Sequence, residues 1–162
     1  MNDDVLIRAL RDDSEAQNCA DLMASTDPWI TLGRTREDTY QVVTNPAAHT
    51  FAADIDGRIA AVVVIAQNVP LLGGYIMTLA VAPAYRNCGI GKRLLAFAED
   101  LIFRDSPNVF LCVSSFNHDA QRFYERGGYE RIGELKNFII EGAGEILMRK
   151  TLGPKTQFKK KG

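Results

Sequence analysis

The sequence predicts a mixed α/β domain, in which helices pack on a twisted and mostly antiparallel sheet. Three observations support this fold class: apolar residues recur at helical spacing, an Asp-Gly pair separates two apolar runs, and one helical segment connects two strands. A strand, helix, strand order implies a parallel pair inside the sheet. With 162 residues, 46% hydrophobic and 24% charged, the chain has the composition of one globular domain.

The first part of the chain predicts one strand and two helices. Val5 to Leu10 has the pattern of a strand, and Ser14 to Ser25 carries small and apolar residues at helical spacing. Thr35 and Asp38 resemble a capping box at the start of the second helix, which Asn45-Pro46 ends.

Three antiparallel strands follow. Thr50 to Ile55 and Arg58 to Gln67 flank Asp56-Gly57, a pair that accepts positive φ at both positions of a two-residue turn. These segments therefore predict a hairpin. After a longer turn at residues 68–74, Tyr75 to Val81 is the third strand.

The rest of the chain alternates helices and strands. Leu94 to Ile102 has the apolar spacing of an amphipathic helix. Val109 to Val113 must then run parallel to Tyr75–Val81, because a crossover helix separates the two. The remaining predicted elements are a short helix from the cap Asn117 to about Arg126 and strands at Tyr129–Gly133 and Ile146–Leu152.

Charge and composition narrow the class of protein. The net charge is −1, but four lysines lie within the last eight residues, so the rest carries −5. We expect a single domain over residues 1–152 and a basic, flexible tail over 153–162. The acidic body favours amine partners over nucleic acid. The acidic start Met1–Asp4 and the short apolar runs predict a cytoplasmic protein without membrane partners. We expect the protein to be a monomer or a homodimer.

Metal and disulfide chemistry are not expected. The three cysteines lack CxxC spacing, and the two histidines lie far apart in sequence without neighbouring ligand types. The sequence therefore predicts free thiols and no metal site.

The segment Arg86-Asn87-Cys88-Gly89-Ile90-Gly91-Lys92 lies between a strand and a helix, where up to four amides lack helical partners. An anion at such a place is stabilised by these amides and by the helix dipole. Glycine at 89 and 91 leaves room for a phosphate and permits positive φ. Arg86 and Lys92 add positive charge. The segment predicts a pyrophosphate site.

Spacing excludes two nucleotide-binding motifs. A Walker A loop ending at Gly91-Lys92 needs glycine at position 86 and Ser or Thr at 93, where the chain has Arg86 and Arg93. A dinucleotide fingerprint needs a third glycine where Leu94 stands. The remaining alternative is that the glycines only form a tight turn.

Arg86-x-x-Gly89-x-Gly91, together with the preceding Leu79-Ala80-Val81-x-Pro83, resembles the R-x-x-G-x-G/A signature of the GNAT superfamily of N-acetyltransferases. The resemblance continues through Asn117-x-x-Ala120-x-x-Phe123-Tyr124-Glu125-x-x-Gly128-Tyr129 and covers roughly Val5 to Leu152. Within the superfamily, the chain is most similar to enzymes that acetylate protein N-termini, notably ribosomal-protein alanine N-acetyltransferases.

The resemblance implies a GNAT-like fold, with helices on both faces of the sheet and the central parallel strands splayed by acetyl-coenzyme A. The expected reaction is direct transfer of acetyl to a primary amine in a ternary complex, with a peptide or protein N-terminus as the favoured acceptor. The cofactor-binding residues that it implies are Leu79, Ala80, Val81, Arg86, Asn87, Cys88, Gly89, Ile90, Gly91, Lys92, Asn117 and Tyr124.

Catalysis needs a proton for the leaving thiolate, a donor for the developing oxyanion and a neutral amine. The resemblance implies Tyr124 as the acid and the backbone N–H of Leu79 as the oxyanion donor. The related enzymes often carry a glutamate where this chain has Cys112. Cys112 is a poor candidate nucleophile, because its strand offers no histidine or lysine. The base is therefore left open between a water relay and three carboxylates: Glu134, Glu141 and Glu145. All three carboxylates are expected to be solvated surface charges.

The acceptor should be recognised outside the signature. Trp29, Ile30 and Leu32 lie between the first two helices, and Glu134 to Glu145, including Glu141, precedes the last strand. These segments are the candidate walls of an acceptor site. The alternatives are a small-molecule amine acetyltransferase, a non-catalytic acyl-coenzyme A sensor, and a phosphate-binding module unrelated to acyl transfer.

Overall fold

The computed structural model describes residues 4–161, and within that range the chain forms seven strands and four helices. They follow the predicted order. Met1, Asn2 and Asp3, on which part of the expected localisation rests, and Gly162 of the tail lie outside the described residues. The elements are β1 (Leu6–Ala9), α1 (Asp13–Ala24), α2 (Arg36–Val43), β2 (His49–Ile55), β3 (Arg58–Val69), β4 (Gly73–Val81), α3 (Ile90–Ile102), β5 (Asn108–Ser114), α4 (His118–Arg126), β6 (Glu130–Leu135) and β7 (Glu145–Thr151).

Hydrogen bonds connect the strands in the order β1-β2-β3-β4-β5-β7-β6. Strands β4 and β5 pair in parallel, from Gly74 opposite Val109 to Ile76 opposite Leu111. The β1–β2, β2–β3, β5–β7 and β6–β7 pairs are antiparallel. The sheet is therefore mixed, and the parallel pair predicted from the crossover helix is confirmed.

The chain divides into two compact units, of which the first comprises Met1–Ala66 and Met77–Glu99. Helix α1 begins after its N-cap Asp12, whose side chain accepts a hydrogen bond from the Glu15 amide at 2.9 Å. The buried face of α1 repeats at the helical spacing read from the sequence. It packs with residues of α2, β3 and β4 into a core formed by Ala16, Cys19, Met23, Val43, Val62, Val64 and Ala80.

Two local signals in the first unit take their predicted geometry. The Thr35 side chain accepts from the Asp38 amide at 3.1 Å, and the Asp38 carboxylate accepts from the Thr35 amide at 2.8 Å. This reciprocal pair is the expected capping box. Asp56 and Gly57 connect β2 to β3 with φ angles of 50° and 78°, as a two-residue hairpin turn requires.

The second unit comprises Gln67–Ile76 and Asp100–Gly162. Strand β7 pairs with β5 along its whole length, and its first residue, Glu145, lies opposite Ser114. Burial alternates along β5, because successive side chains of a strand point to opposite faces. Val113 and its neighbours at i−2 and i−4 are buried, whereas Cys112 is half-buried. One face of β5 therefore belongs to the core, and the other is partly open.

The turn predicted at residues 68–74 is shorter in the structure. Strand β3 continues to Val69, and β4 begins at Gly73. Gly73 and Gly74 therefore belong to the strand, where the sequence favoured a turn. Gly74 has no room for a side chain, because a Cβ atom there would lie 2.0 Å from Cγ2 of Ile102, the last residue of α3.

Gly74→Ala is expected to destabilise the fold, since the added methyl would overpack against Ile102. Overpacking of this kind costs about 1–3 kcal/mol. Urea unfolding measures the loss as a lower midpoint at an unchanged slope. Gly133→Ala is the matched control, because a Cβ there meets nothing within 4 Å. Equal midpoints for the two variants would contradict the close contact between Gly74 and Ile102.

The basic tail makes contacts inside the second unit. Lys155 Nζ donates to the Leu71 carbonyl at 2.6 Å, and the Lys161 amide donates to the Arg104 carbonyl at 3.1 Å. Residues Lys155–Gln157 form a single 3-10 turn. Among residues 4–161, no helix is both long and apolar enough to cross a membrane.

Candidate active site

In the first unit, the predicted cofactor-binding residues form the turn that connects β4 to α3. A 3-10 turn at Pro83–Tyr85 precedes it. The first hydrogen bond of α3 runs from the Arg93 amide to the Gly89 carbonyl at 3.1 Å. Because helical amides bond four residues back, the amides of residues 90–92 precede the first intrahelical bond. These amides are available to an anion at the positive end of the helix dipole.

Left-handed backbone conformations shape this turn. Asn87 and Gly89 have φ angles of 61° and 80°. Left-handed residues in such a turn direct neighbouring amides toward one concavity, which is an anion-binding arrangement. A Cβ at Gly89 would meet nothing within 4 Å, so the space beside this residue is open. Gly91 lies in the first turn of α3, so of the two glycines only Gly89 adopts the positive φ that glycine permits.

The cationic side chains of the turn are exposed, as charge neutralisation of a ligand requires. Arg86 and Lys92 both face solvent. Arg86 Nε donates to the Val81 carbonyl at 3.2 Å, and Cys88 Sγ donates to the Arg86 carbonyl at 3.4 Å. Both bonds end on carbonyl oxygens, so neither occupies an amide of the turn.

The end of β4 presents backbone amides away from β3. The Ala82 amide donates to the Ala60 carbonyl of β3 at 2.8 Å. Amides alternate sides along an extended strand, so those of Val81 and Leu79 point away from β3. The side chain of Ala80 is buried, whereas Leu79 and Val81 are half-buried. The N–H groups of Leu79 and Val81 therefore point in the direction required for their predicted hydrogen bonds to the oxyanion and to pantetheine.

In the second unit, α4 carries the predicted general acid. Asn117 caps this helix, and its Oδ1 accepts from the Ala120 amide at 3.2 Å. Tyr124 is 8% exposed. Its ring packs edge-on against Phe123 and Tyr129, at centroid distances of 5.1 and 5.6 Å. Burial raises the pKa of Tyr124 above the usual tyrosine value, so the hydroxyl stays protonated.

Cys112 is held as a neutral thiol. Burial raises the pKa of Cys112, and this is the largest effect. A hydrogen bond with Tyr75 lowers the pKa by less, and the negative charge of Glu145 raises it slightly further. A thiol with a raised pKa is a weak nucleophile at neutral pH. This agrees with the expectation that Cys112 does not carry the acetyl group.

The three candidate carboxylates differ in burial. Glu134 and Glu141 are exposed, in agreement with the solvated character expected of them. For Glu145 that expectation is wrong, because the residue opens β7 and is buried. Ser114 Oγ donates to Glu145 Oε1 at 2.8 Å. The sequence places Glu145 next to Gly144, which favours a loop, but pairing with β5 begins at Glu145 itself.

Two further residues of this region were missed from the sequence. Gln121 is buried in α4, and its Nε2 donates to the Ser114 and Ser115 carbonyls at 3.0 and 3.1 Å. Tyr75 lies opposite Phe110 in the parallel pair. Gln121 lies three residues before Tyr124, so the two share one face of α4, and this spacing is a signal that the sequence does contain.

The predicted acceptor-binding residues lie in both units. In the first unit, Trp29 packs against the core cluster, and Leu32 is buried. Ile30, between them in sequence, is 56% exposed. In the second unit, Glu141 is exposed in the segment before β7. The roles of Trp29, Leu32 and Glu141 in acceptor binding stay predictions.

Comparison with known proteins gives one consistent family. The Acetyltransferase (GNAT) family matches residues 7–129. N-alpha-acetyltransferase RimI from Mycobacterium tuberculosis is 31% identical over 147 residues, which cover 86% of this chain and 89% of the relative.

Two crystal structures share the fold. An aminoglycoside 6'-N-acetyltransferase complexed with coenzyme A has a TM-score of 0.74 at 19% identity, covering 93% of this chain and 98% of that one. The ribosomal-protein-S18-alanine N-acetyltransferase from Escherichia coli has a TM-score of 0.72 at 19% identity, covering 96% and 99%. The family match covers most of the chain, and the chain has the mixed sheet and the turn before α3 described above. We conclude that the chain belongs to the GNAT family of acetyltransferases.

Proposed function

We propose that the chain transfers the acetyl group of acetyl-coenzyme A to the α-amino group of a peptide or protein N-terminus. The observation that carries the proposal is the open, amide-lined turn at the start of α3, in a chain 31% identical to an N-alpha-acetyltransferase over most of both lengths. The acidic body outside the tail favours a cationic acceptor.

The turn fits a diphosphate in charge and in space. The amides of residues 87–92 and the dipole of α3 favour a dianion, and the open space beside Gly89 admits it. Arg86 and Lys92 neutralise the remaining negative charge. Ile90 contributes its amide, while its side chain is buried beneath the turn. Acetyl-coenzyme A supplies the acetyl group as a thioester.

The end of β4 orients the acyl donor through its backbone. The Val81 and Leu79 amides point away from β3 and donate to amide carbonyls of pantetheine in the manner of a neighbouring strand. The Leu79 N–H also stabilises the negative charge that develops on the thioester oxygen. Ala80, with its side chain in the core, fixes the strand between these two donors.

Tyr124 donates the proton that the leaving sulfur needs. Its buried hydroxyl stays protonated at neutral pH, so the donor is present in its active form. Burial raises the pKa of a thiol as well as that of a tyrosine hydroxyl. The two pKa values therefore remain similar, and the proton can pass from Tyr124 to the leaving sulfur. Asn117 caps α4 and so fixes the helix that carries Tyr124.

The proposal is tested by incubating the full chain with acetyl-coenzyme A and a panel of acceptors. The panel contains peptides with a free N-terminus, the same peptides with a blocked N-terminus and a free lysine, and aminoglycosides. Mass spectrometry locates the acetyl group. We expect modification of the free α-amine, with release of coenzyme A, and none on the blocked peptides.

The other outcomes favour the alternatives. Acetylation of aminoglycosides alone would indicate a small-molecule amine acetyltransferase. A rise in melting temperature with coenzyme A but no transfer to any amine would indicate a sensor. Stronger stabilisation by ATP or a flavin than by coenzyme A would indicate an unrelated phosphate-binding module.

A further inference from the structure

Glu145, the first residue of β7, has a buried carboxylate with no role in the chemistry proposed above. It is 5% exposed and lies opposite Ser114, whose hydroxyl donates to its Oε1 at 2.8 Å. Burying a carboxylate is costly unless hydrogen bonds or charges compensate for the lost water. A buried carboxylate near other perturbed groups is therefore a candidate functional residue.

The strand ends around Glu145 are held in place by several hydrogen bonds. Gln121 Nε2 on α4 binds the carbonyls of both Ser114 and Ser115. The Ser115 amide donates to the Gly144 carbonyl at 2.8 Å, and the Gly144 amide donates to Ser115 Oγ at 3.0 Å. The carboxylate thus projects from a fixed backbone, on the strand end next to α4.

Glu145 shares the partly open face of the sheet with Tyr75 and Cys112. Tyr75 lies opposite Phe110, Glu145 lies opposite Ser114, and Cys112 stands between those two positions of β5. Residues opposite each other on neighbouring strands, and residues two apart on one strand, point to the same face. Burial raises the pKa of both Tyr75 and Cys112, and the charge of Glu145 adds to each shift. The carboxylate therefore acts electrostatically on this face.

We propose that Glu145 is the base that accepts the proton of the acceptor ammonium, in contact with it or across one water. This inference rests on the proposed function. The other candidate groups are less suited: Glu134 and Glu141 are exposed, and Cys112 is a neutral thiol on the same face.

The proton balance closes with this assignment. The ammonium gives one proton to Glu145, and the neutral nitrogen then forms the C–N bond at the thioester carbon. The C–S bond breaks with its electron pair on sulfur, which takes the proton of Tyr124. The nitrogen loses a second proton, which restores Tyr124, and Glu145 returns its own to water. Each turnover converts an ammonium and a thioester into an amide, a thiol and one proton.

The groups that face Glu145 limit what else can titrate there. They are Tyr75 on β4, Cys112 on β5 and Arg149 on the same face of β7. Glu134 on β6 lies opposite Ile146 and therefore points to the other face of the sheet. Tyr75 and Cys112 have pKa values raised by burial and stay neutral between pH 6 and 8. The pH dependence in this range is then decided by the acceptor amine and by whether a carboxylate stands at position 145 to take its proton.

The test is the pH profile of kcat/KM for Glu145→Gln with a free N-terminal peptide. With the base present, the enzyme can use the ammonium form of the acceptor, because Glu145 removes its proton. The value of kcat/KM is then independent of pH below the amine pKa of about 8. Without the base, only the neutral amine reacts, so kcat/KM rises about tenfold per pH unit. We expect a loss of about 100-fold at pH 6.5 that shrinks to less than tenfold at pH 9. The Gln side chain still accepts the Ser114 hydrogen bond, so the packing is kept.

Ser114→Ala separates this role from a structural one. It removes the hydrogen bond but keeps the carboxylate, so the flat profile should remain. A rising profile in this variant, or an equal loss at every pH in Glu145→Gln, would overturn the proposal. Glu37→Gln, at an exposed position of α2, is the control and should match the wild type.

Two further results complete the test. Glu145→Asp keeps the carboxylate, so its pH profile of kcat/KM should stay flat. This variant tests the role of Glu145 if Glu145→Gln does not fold. A rising profile in Glu145→Asp would count against Glu145 as the base. Failure of the wild-type chain to acetylate any amine overturns the proposed function. Transfer by the wild type with an unchanged Glu145→Gln profile overturns only the role of Glu145.

Discussion

Tyr124→Phe is expected to lower kcat about 100- to 1000-fold, the usual contribution of a positioned general acid. The phenyl ring remains and keeps its edge contacts with Phe123 and Tyr129, so the fold is unchanged. Only the proton for the leaving sulfur is lost. Single-turnover measurements of acetyl transfer give the rate, and titration calorimetry with coenzyme A gives an affinity that should stay within about threefold of wild type.

Tyr129→Phe is the matched control, because it removes a second buried tyrosine hydroxyl from the same ring cluster. We expect kcat within about threefold of wild type for this variant, with any effect confined to stability. Equal losses in both variants would mean that the cluster acts through packing. Unchanged turnover in Tyr124→Phe would remove this residue from the mechanism.

The parts of the fold that the sequence predicted well are those specified by neighbouring residues. The Thr35 capping box and the Asp56-Gly57 turn are closed by hydrogen bonds or dihedral angles within four residues. The turn before α3 belongs to the same class, since Gly89 and the helix start fix its amides locally. The parallel β4–β5 pair followed from chain topology, because the single crossover helix α3 returns the chain to the starting end of the sheet.

The features that the sequence did not predict depend on distant partners. Glu145 is buried because β7 pairs with β5, and its hydrogen-bond partner Ser114 is 31 residues away. Gly144 beside it suggested a loop. Gly74 looked like a turn residue, and only the approach of Ile102 explains why it must lack a side chain. The strand predicted from residue 146 onward could have been extended by one residue to include Glu145. No local sequence pattern, however, identifies Ser114 as its hydrogen-bond partner.

Gly89→Leu is expected to weaken coenzyme A binding at least tenfold. The residue has a φ of 80°, and a Cβ there would project into open space beside the amides of the turn. A leucine side chain in that space displaces a diphosphate from the amides, and the left-handed backbone costs about 1–2 kcal/mol for any residue other than glycine. Titration calorimetry with coenzyme A measures the affinity directly.

The control must carry the same backbone strain without the ligand, and Gly57→Leu does so. Gly57 has a φ of 78°, and a Cβ there also meets nothing within 4 Å, but it lies in the β2–β3 turn. Both variants should therefore lose similar stability in urea, since the strain is the same. Only Gly89→Leu should lose affinity, because only there does the side chain compete with the anion. Equal coenzyme A affinities in the two variants would mean that the diphosphate binds elsewhere, and that the helix dipole and amides of α3 do not hold it.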